Sequence, residues 1–394
     1  MGGNDRLKVS AVTGQAVIDG GSGTDTAEID LAAATANLAV QLSNLPLPGI
    51  SSGTRPVSPV VLTSIEALVV TTGSGDDTVT GGARADRITT GAGNDRVNSG
   101  IGADTVSLGD GNDLLTDLGG NGDVIDAGRG NDRVTIGGQV ASVNGGEGTD
   151  RITADLFAST SGLTLTLTLG GTVNLPVRGW GLRGFEQYFL TFGAGSDTIR
   201  ADYGLHRLDG GAGIDMLTVL ADDLVTFTTS TSGGVTTWTF ANGMVATGFE
   251  TVTITYRPRT LTGTDANDVL TGGLGDDQLS GGLGTDRLTG GDGADSFLID
   301  LFPSRFSGPD TITDFRPGED RITLDSSVFT ALASFAGGAL PLDELGSSGD
   351  ARLLYDAANG ELSYDADGSD GSGPVMIATL LGGPALEVAD IMVI

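Results

Sequence analysis

Single apolar residues recur every nine positions through long stretches of the chain. Val79, Ile88, Val97, Val106 and Leu115 each stand two residues after an aspartate that ends a glycine-rich turn. One apolar residue between polar neighbours is typical of a very short strand that buries one face. A turn and a short strand in every nine residues predict an all-β fold, a parallel β-solenoid of repeated coils.

The aspartates keep the same nine-residue phase as the apolar residues. One run comprises Asp77, Asp86, Asp95, Asp104 and Asp113, a second comprises Asp268, Asp277, Asp286 and Asp295, and further turns end at Asp25, Asp123, Asp132, Asp150, Asp197 and Asp215. Glycines allow the positive φ angles of tight turns and let carbonyl oxygens converge. Each aspartate adds a carboxylate to the all-oxygen shell that a hard cation such as Ca²⁺ prefers. The phase therefore predicts multiple Ca²⁺ sites.

Two coils keep the phase but lack the aspartate. Ala141 and His206 stand at the aspartate position, while Val143 still fills the apolar position after Ala141. We interpret His206, the single histidine, as a decayed calcium turn, because the partners that a catalytic base or metal ligand needs are missing. Arg84 replaces a turn glycine, so we expect the Asp86 site to be impaired.

The second run carries the clearest copies of the repeat, GGLGDDQLS, GGLGTDRLT and GGDGADSFL, in residues 272–298. These copies resemble the G-G-x-G-x-D-x-U-x nonapeptide of RTX (hemolysin-type) calcium-binding proteins. The resemblance implies a right-handed parallel β-roll in which two nonapeptides form one coil. It also implies that calcium lies between turns 18 residues apart, held by both aspartate carboxylates and by turn carbonyl oxygens.

Carried over to this sequence, the resemblance implies metal ligands at Asp25, Gly73, Gly75, Asp77, Asp86, Gly91, Gly93, Asp95, Asp104, Asp113, Asp123, Gly128, Gly130, Asp132, Asp150, Gly193, Gly195, Asp197, Asp215, Asp268, Gly273, Gly275, Asp277, Asp286, Gly290, Asp292 and Asp295. In the second run, Gly273, Gly275 and Asp277 would face Gly290, the Asp292 carbonyl and Asp295. One edge of the roll would carry a ladder of Asp77, Asp95, Asp113, Asp132 and Asp150, and the other a ladder of Asp86, Asp104 and Asp123.

Three long segments interrupt the nonapeptides, after Asp25, Asp150 and Asp215. Each later reaches an apolar residue followed by glutamate, at Ile65-Glu66, Phe185-Glu186 and Phe249-Glu250. Alternating Thr and apolar residues within these segments are typical of half-exposed strands. We expect wide solenoid coils with protruding hairpins. A carbohydrate-cleaving set is one interpretation of the glutamates, but one glutamate at the same place in each segment favours a structural role.

The pattern changes again after Ser296. The segment from GPDTITDF to the terminal ADIMVI resembles the C-terminal domain of serralysin-type proteases and other RTX exoproteins. The resemblance implies a cap on the roll and an uncleaved type I secretion signal at Asp390–Ile394. The other interpretation is an ordinary edge strand that closes the sheet, and the two interpretations are compatible. Asp365, Asp367 and Asp370 are candidates for another calcium loop, although the EF-hand spacing is absent.

These patterns predict four segments. Residues 1–150 form an RTX β-roll with a first excursion at 26–72, and residues 151–262 an irregular β-solenoid with two further excursions. Residues 263–300 form a second β-roll, and residues 301–394 the capping and secretion domain.

Composition narrows the class of protein. The chain of 394 residues has 20 Lys and Arg against 51 Asp and Glu, and its charge of −31 disfavours nucleic-acid partners. It has no cysteine and one histidine, which excludes disulfides, Cys-ligated zinc and a histidine cluster. No apolar stretch is long enough for a transmembrane segment, and the start shows no signal peptide. A secreted, extracellular or cell-surface protein neutralised by calcium fits this balance.

No enzyme motif gains support from its context. HExxH is absent, and the GxSxG match at residues 49–53, with Ser51, lies among prolines and not between a strand and a helix. We therefore expect a non-enzymatic, structural or surface role (S-layer-like, matrix or adhesion), with the type I secretion apparatus and self-assembly or a surface polysaccharide as partners. The alternative is the calcium-binding, secretion-directing part of a larger RTX exoenzyme or toxin, because GGNDRLKV opens in mid-repeat.

Overall fold

The structure is a computed structural model that describes residues 2–10, 16–42, 58–117, 119–137, 139–156, 161–175, 180–302, 308–337, 340–341, 344–346, 351–367 and 373–394. The chain divides into two compact units. The first comprises Met1–Val219 and Val225–Ile254, and the second comprises Leu220–Leu224 and Thr255–Ile394. The four segments predicted from the sequence stay a prediction.

Short strands make up almost all of the regular structure. In chain order they are β1 (Arg6–Val9), β2 (Ala16–Asp19), β3 (Thr26–Asp30), β4 (Leu38–Leu42), β5 (Ser58–Thr63), β6 (Ala67–Thr71), β7 (Thr78–Thr80), β8 (Arg87–Ala92), β9 (Arg96–Asn98), β10 (Thr105–Asp110), β11 (Leu114–Asp117), β12 (Asn121–Arg129), β13 (Arg133–Ile136), β14 (Gln139–Asn144), β15 (Arg151–Asp155), β16 (Thr164–Leu167), β17 (Thr172–Leu175), β18 (Trp180–Arg183), β19 (Gln187–Thr191), β20 (Thr198–Asp202), β21 (Arg207–Asp209), β22 (Met216–Ala221), β23 (Phe227–Ser232), β24 (Val235–Phe240), β25 (Val245–Thr247) and β26 (Thr251–Tyr256).

The remaining elements are β27 (Thr260–Thr262), β28 (Val269–Leu274), β29 (Gln278–Ser280), β30 (Arg287–Asp292), β31 (Ser296–Ile299), β32 (Asp310–Ile312), β33 (Arg321–Leu324), β34 (Leu345–Gly346), β35 (Leu353–Asp356), β36 (Glu361–Tyr364), β37 (Val375–Leu380) and β38 (Ile391–Val393), with short 3₁₀ helices at Thr330–Phe335 and Val388–Asp390. Among the described residues, no helix is long and apolar enough to cross a membrane.

In the first unit, successive strands alternate between two faces of a parallel roll. One face has the order β1-β3-β6-β8-β10-β12-β14-β18-β17, and the other has the order β2-β5-β4-β7-β9-β11-β13-β15-β19-β21-β25-β24-β23. A further sheet of order β16-β20-β22-β26 receives alternate strands in the later coils. The predicted all-β parallel β-roll is confirmed.

The apolar residues of the repeat stack in columns because the parallel strands pair in register. Val79 pairs with Val97, Val97 with Leu115, Leu115 with Val134 and Val134 with Ile152. All five side chains are buried, as is the second column of Ile88, Val106, Ile125 and Val143. The narrow core between the two faces is thus made of the apolar residue that the nonapeptide supplies once per turn.

The three excursions differ in their pairing. The second contains an antiparallel hairpin of β17 and β18, and the third an antiparallel meander of β23, β24 and β25. The predicted hairpins are confirmed there. In the first excursion β5 runs parallel to both β4 and β2, so these strands extend the roll face and do not form a hairpin. The GxSxG match with Ser51 lies outside the described residues.

The second unit contains nonapeptide coils of its own and the strands that close them. One sheet has the order β27-β29-β31-β33-β38 and the other the order β28-β30-β32-β37-β36-β35-β34. Phe297, Ile322, Phe329 and Leu353 lie in one buried cluster between them. The antiparallel strands β35, β36 and β37 end the second sheet, which explains why the nine-residue pattern stops there.

The C-terminal residues are part of this fold. Strand β38 pairs in parallel with β33 at the edge of its sheet, and Ile391 and Val393 are buried. The Asp390 carboxylate accepts the backbone N–H of Gly318 at 2.8 Å and that of Glu387 at 2.9 Å. The edge strand that the sequence offered as an alternative is therefore formed.

Candidate metal centres

In the ladder that begins at Asp77, each later turn aspartate, up to Asp150, is held in the same way. Its Oδ1 accepts the backbone N–H of the aspartate one coil earlier: Asp77 donates to Asp95 at 2.7 Å, Asp95 to Asp113 at 2.8 Å and Asp132 to Asp150 at 2.8 Å. A short side chain at the end of the turn reaches this donor because neighbouring strands in a sheet lie only about 4.8 Å apart. The hydrogen bond fixes each carboxylate between two coils.

The order of the aspartates along the edges agrees with the predicted ladders. Asp77, Asp95, Asp113, Asp132 and Asp150 follow one another on one edge, and Asp86, Asp104 and Asp123 on the other. Shorter ladders join Asp197 to Asp215, Asp277 to Asp295 and Asp268 to Asp286. Their role as metal ligands stays a prediction.

The second carboxylate oxygen of most ladder members is buried without a hydrogen-bond partner. This holds for Oδ2 of Asp25, Asp77, Asp95, Asp104, Asp113, Asp123, Asp132, Asp150, Asp197, Asp215, Asp277, Asp286 and Asp295. Burying a charged oxygen without a partner is costly, and opposite charge is the usual compensation. The carboxylates therefore fit a cation held between coils.

Burial also perturbs the titration of these groups. Loss of solvent, with the negative charge of the neighbouring ladder members added to it, raises the pKa of Asp95 and of Asp132 to about 7. Burial likewise raises the pKa of Asp113 and of Asp104 to about 6. Without a cation, the carboxylates of the ladder resist ionisation because the charged form loses water and gains like-charged neighbours.

Turn carbonyl oxygens supply the other half of a ligand shell. The carbonyls at the second and fourth turn positions all point at the next coil, namely those of Gly73, Gly75, Gly91, Gly93, Gly128, Gly130, Gly193, Gly195, Gly273 and Gly275. In the coil that faces Gly273 and Gly275, Gly291 and Gly293 have φ angles of 108° and 132°, and any Cβ there would collide with those two carbonyls. Glycine is required because the backbones approach so closely.

The carbonyl of the first turn position lies beside the unpartnered aspartate oxygen of the neighbouring coil. A Cβ on Gly272 would touch both Oδ2 of Asp277 and the carbonyl oxygen of Gly290. This agrees with the predicted position of Gly290 opposite Asp277. The Asp292 carbonyl, also a predicted ligand, accepts the Gly275 N–H at 2.8 Å, and the Asp292 side chain pairs with Arg316 at 2.9 Å.

The donor set indicates which metal the turns can hold. Within the described ranges, no three Asp, Glu or His side chains are grouped as a metal site by themselves. An ion between two coils would take carboxylates from both coils and complete its shell with carbonyls. An all-oxygen, irregular shell of this kind suits Ca²⁺ and not zinc.

Three turns of the described chain depart from the pattern, because Oδ2 of the aspartate accepts a backbone N–H of its own turn. In the turn that ends at Asp320, the donor is the Arg316 N–H at 2.7 Å, although Gly318 stands at the fourth position. In the turn with Arg84, Oδ2 of Asp86 accepts the Gly82 N–H at 2.7 Å. In the turn with Ala266, Oδ2 of Asp268 accepts the Thr264 N–H at 2.6 Å. All three carboxylates are satisfied by their own turn. The fourth residue alone does not explain this, since Asn121 stands there in the Asp123 turn, whose Oδ2 has no partner. That Arg84 impairs the Asp86 site stays a prediction.

His206 takes the place of an aspartate in the hydrogen-bond ladder. Its Nδ1 accepts the backbone N–H of Tyr188, 18 residues earlier, at 3.2 Å. The imidazole is fully buried, and burial lowers its pKa to about 4, so it is neutral at pH 7. This geometry supports the interpretation of His206 as a decayed calcium turn. At the other gap, Ala141 lies in β14, and Val143 is buried opposite Ile125.

Sequence reasoning missed two members of the ladders in the second unit. Asp310 accepts the Asp286 N–H at 2.9 Å, and Asp320 accepts the Asp295 N–H at 3.0 Å. Their spacings of 24 and 25 residues break the phase. The available signal was an apolar residue two positions later, since Ile312 and Ile322 follow these aspartates as in a repeat.

The candidate loop near the C-terminus is only partly described. The Asp367 N–H donates to the Asp365 carboxylate at 3.2 Å, and Asp365 is buried. Asp370 lies outside the described residues, so a calcium loop here stays a prediction.

Comparison with known protein families identifies the repeat. The family model of the RTX calcium-binding nonapeptide repeat matches residues 71–106, 193–217 and 262–297, in four copies. A comparison with curated proteins found no match. Among solved structures, extracellular lipase LipA from Serratia marcescens is similar, with 15% identity and a TM-score of 0.20 over 66% of this chain. The chain spans 45% of the length of that lipase chain. The protein therefore contains RTX calcium-binding nonapeptide repeats, and these repeats fold as a parallel β-roll.

Proposed function

We propose that the protein is a secreted, extracellular calcium-binding protein whose roll folds when Ca²⁺ binds and then serves a structural or surface role. The observation that carries this proposal is the column of buried aspartates whose Oδ2 atoms have no partner beside inward carbonyls. Such a column is unfavourable in a calcium-free medium and favourable in a calcium-rich one.

The two carboxylate oxygens of each turn aspartate have different roles. Oδ1 of each aspartate holds the preceding coil by accepting a backbone N–H, and Oδ2 stays available with the turn carbonyls. Bound Ca²⁺ supplies the positive charge that offsets two adjacent carboxylates. Because neighbouring carboxylates repel and the chain has a charge of −31, the free energy of unfolding depends on occupancy of the turns.

The position of the C-terminal residues supports an order of events in secretion. Asp390, Ile391 and Val393 are buried in the second unit. If these residues are a type I secretion signal, a transporter binds them before β38 pairs with β33. A chain that stays unfolded at low calcium inside the cell keeps them accessible, and calcium outside closes the fold.

A non-enzymatic role is part of the proposal. The described residues are taken up by roll coils, by the strands of the excursions and by the closing strands of the second unit. His206 is bonded to Tyr188 within the ladder, and its low pKa does not suit a general base at neutral pH. In this structural role, bound calcium makes the surface of the roll rigid. We propose that this surface self-assembles or binds a polysaccharide.

Circular dichroism of the full chain in calcium-free buffer and with added Ca²⁺ tests the folding step. At pH 7, we expect β-structure to appear only with Ca²⁺, with Mg²⁺ as a control that does not replace it. Equal β-content in both buffers would show that folding does not depend on calcium. Electron microscopy of the calcium-loaded protein tests the surface role, for which lattices or filaments are expected. A monodisperse particle at high concentration contradicts self-assembly.

A further inference from the structure

Three glutamates close ladders in the first unit, and all three are bonded identically. Oε2 of Glu66 accepts the Asp25 N–H at 2.6 Å, Oε2 of Glu186 the Asp150 N–H at 2.7 Å, and Oε2 of Glu250 the Asp215 N–H at 2.6 Å. This is the bond that an aspartate Oδ1 makes elsewhere in the ladder. Each glutamate therefore occupies the position of the next aspartate, 35 to 41 residues along the chain and not 18.

The backbone of each glutamate is locked to the same coil. The glutamate N–H donates to the carbonyl of its aspartate partner at 3.0 Å for Glu66, 3.1 Å for Glu186 and 3.0 Å for Glu250. This bond places both carboxylates of each pair at one end of adjacent coils. The recurrence in three segments of different length and sequence indicates a specified arrangement.

The aspartate of each pair still has an unsatisfied oxygen. Asp25, Asp150 and Asp215 are completely buried, and the Oδ2 atom of each has no hydrogen-bond partner. The glutamate therefore caps a backbone donor but leaves the buried charge of its partner uncompensated. A hydrogen-bond cap alone does not explain these oxygens.

A carbonyl oxygen lies beside each unpartnered oxygen, as in the regular turns. A Cβ on Gly210 would be 2.9 Å from Oδ2 of Asp215 and 2.5 Å from the Gly248 carbonyl oxygen. Gly145 lies in the same way between Asp150 and the carbonyl of Gly184. This is the relation of Gly272 to Asp277 and Gly290 in the nonapeptide turns.

In the first excursion a carbonyl also lies beside the unpartnered aspartate oxygen, and it belongs to a residue with an unusual backbone conformation. Gly20 lies between Oδ2 of Asp25 and the carbonyl of Ser64. Ser64 has a φ of 52°, the only positive φ of a non-glycine among the described residues, whereas Gly184 and Gly248 have 68° and 72° at the equivalent position. A serine in this conformation is strained, so the surrounding structure must impose it, as it does the positive φ of Gly184 and Gly248.

We propose that the pairs Asp25–Glu66, Asp150–Glu186 and Asp215–Glu250 are three further calcium sites, in which glutamate replaces the second aspartate of an RTX site. The inference rests on the proposed calcium-dependent folding and extends it to the excursions. One ion at each site ties together the two ends of a long excursion, which lowers the entropy cost of closing that segment. Calcium thus orders the excursions as well as the repeats.

The test replaces the three glutamates by glutamine in the full chain, as E66Q/E186Q/E250Q. Glutamine keeps an oxygen that accepts the aspartate N–H, and it removes only the charge that an ion needs. The matched control is E147Q/E319Q/E361Q, because these glutamates are exposed and lie outside the three pairs. Equilibrium dialysis against Ca²⁺, with metal analysis, gives the number of ions per chain, and circular dichroism checks that each variant folds.

We expect the triple variant to bind three fewer calcium ions than the wild-type chain, and the control to bind the wild-type number. Each single variant is expected to lose one ion, which keeps the test valid if the triple variant fails to fold. Wild-type stoichiometry in folded E66Q/E186Q/E250Q would overturn the inference and leave the proposed function intact. A wild-type chain that binds no calcium would instead overturn the proposed function.

Discussion

Turns whose aspartate Oδ2 has no partner and turns whose Oδ2 is satisfied within the turn carry the same aspartate but have different chemistry. In the turn of Asp113 the Oδ2 atom is buried without a partner, whereas in the turns of Asp86 and Asp268 it accepts a backbone N–H of its own turn. Hydrogen bonding within the turn thus decides whether the carboxylate is left for a cation. The aspartate alone does not define a calcium site.

The largest expected effect is the loss of an interior carboxylate. Asp113 accepts the Asp95 N–H and donates its own N–H to Asp132, so it belongs to two adjacent sites. In saturating calcium, D113A is expected to lower the free energy of unfolding by about 3–5 kcal/mol, because two bound ions lose a charged ligand. Thermal or denaturant unfolding followed by circular dichroism measures this difference.

The control is D268A, in a turn whose carboxylate is already satisfied by Thr264. Its expected cost is about 1 kcal/mol, the typical worth of a turn hydrogen bond. Equal losses of stability in D113A and D268A would contradict the division between the two kinds of turn.

The second effect is a dependence of the calcium-free fold on pH. Burial raises the pKa of Asp95 and Asp132 to about 7 and that of Asp150 and Asp295 to about 6, above the unfolded value near 3.9. The folded state therefore binds more protons than the unfolded state between these values. Its stability is greatest below about pH 4 and falls as the pH rises to about 7.

In calcium-free buffer, β-content is therefore expected to increase as the pH is lowered from 7 to 5, since protons replace the missing cations. With saturating Ca²⁺ the trend reverses, because protons then compete with the ion for the carboxylates. Circular dichroism at several pH values gives both curves. A calcium-free chain that loses β-content on acidification to pH 5 would refute the assignment of these buried groups.

A smaller effect is expected at the decayed turn. H206A removes the acceptor of the Tyr188 N–H and leaves a cavity, so we expect a loss of about 1–3 kcal/mol. H206N keeps an acceptor and should recover part of the loss. Because His206 replaces a carboxylate, neither variant should change the number of bound calcium ions. A change in that number, measured by dialysis, would mean that His206 acts in a site.

The fold was predictable because parallel in-register strands place each repeat position directly above its copy. Val79, Val97 and Leu115 form one column for that reason, and the nine-residue phase records it in the sequence. Asp310 and Asp320 escaped prediction because spacings of 24 and 25 residues leave the phase while the strand pairing continues.

The glutamates show where spacing ceases to be informative. Glu66 and Glu250 return after excursions whose length is free to vary, so no fixed separation marks them as ladder members. Only the hydrogen bond to the aspartate N–H and the carbonyl beside Oδ2 identify their position. Their recurrence predicted a common role, but the distinction between a cap and a ligand depends on the unpartnered oxygen of the partner.

The smallest expected effect tests whether Arg84 keeps the Asp86 carboxylate bonded within its own turn. R84G places glycine at the fourth position of the Asp86 turn, whose Oδ2 is now held by the Gly82 N–H. We expect one additional calcium ion per chain. The net gain in stability should be under about 1 kcal/mol, since a new glycine costs about 0.5–1 kcal/mol of chain entropy. The control R84A removes the charge without adding the conformational freedom of glycine, and it should bind the wild-type number of ions. If dialysis shows the same gain for R84A, the charge of Arg84 impairs the site and not the geometry of its turn.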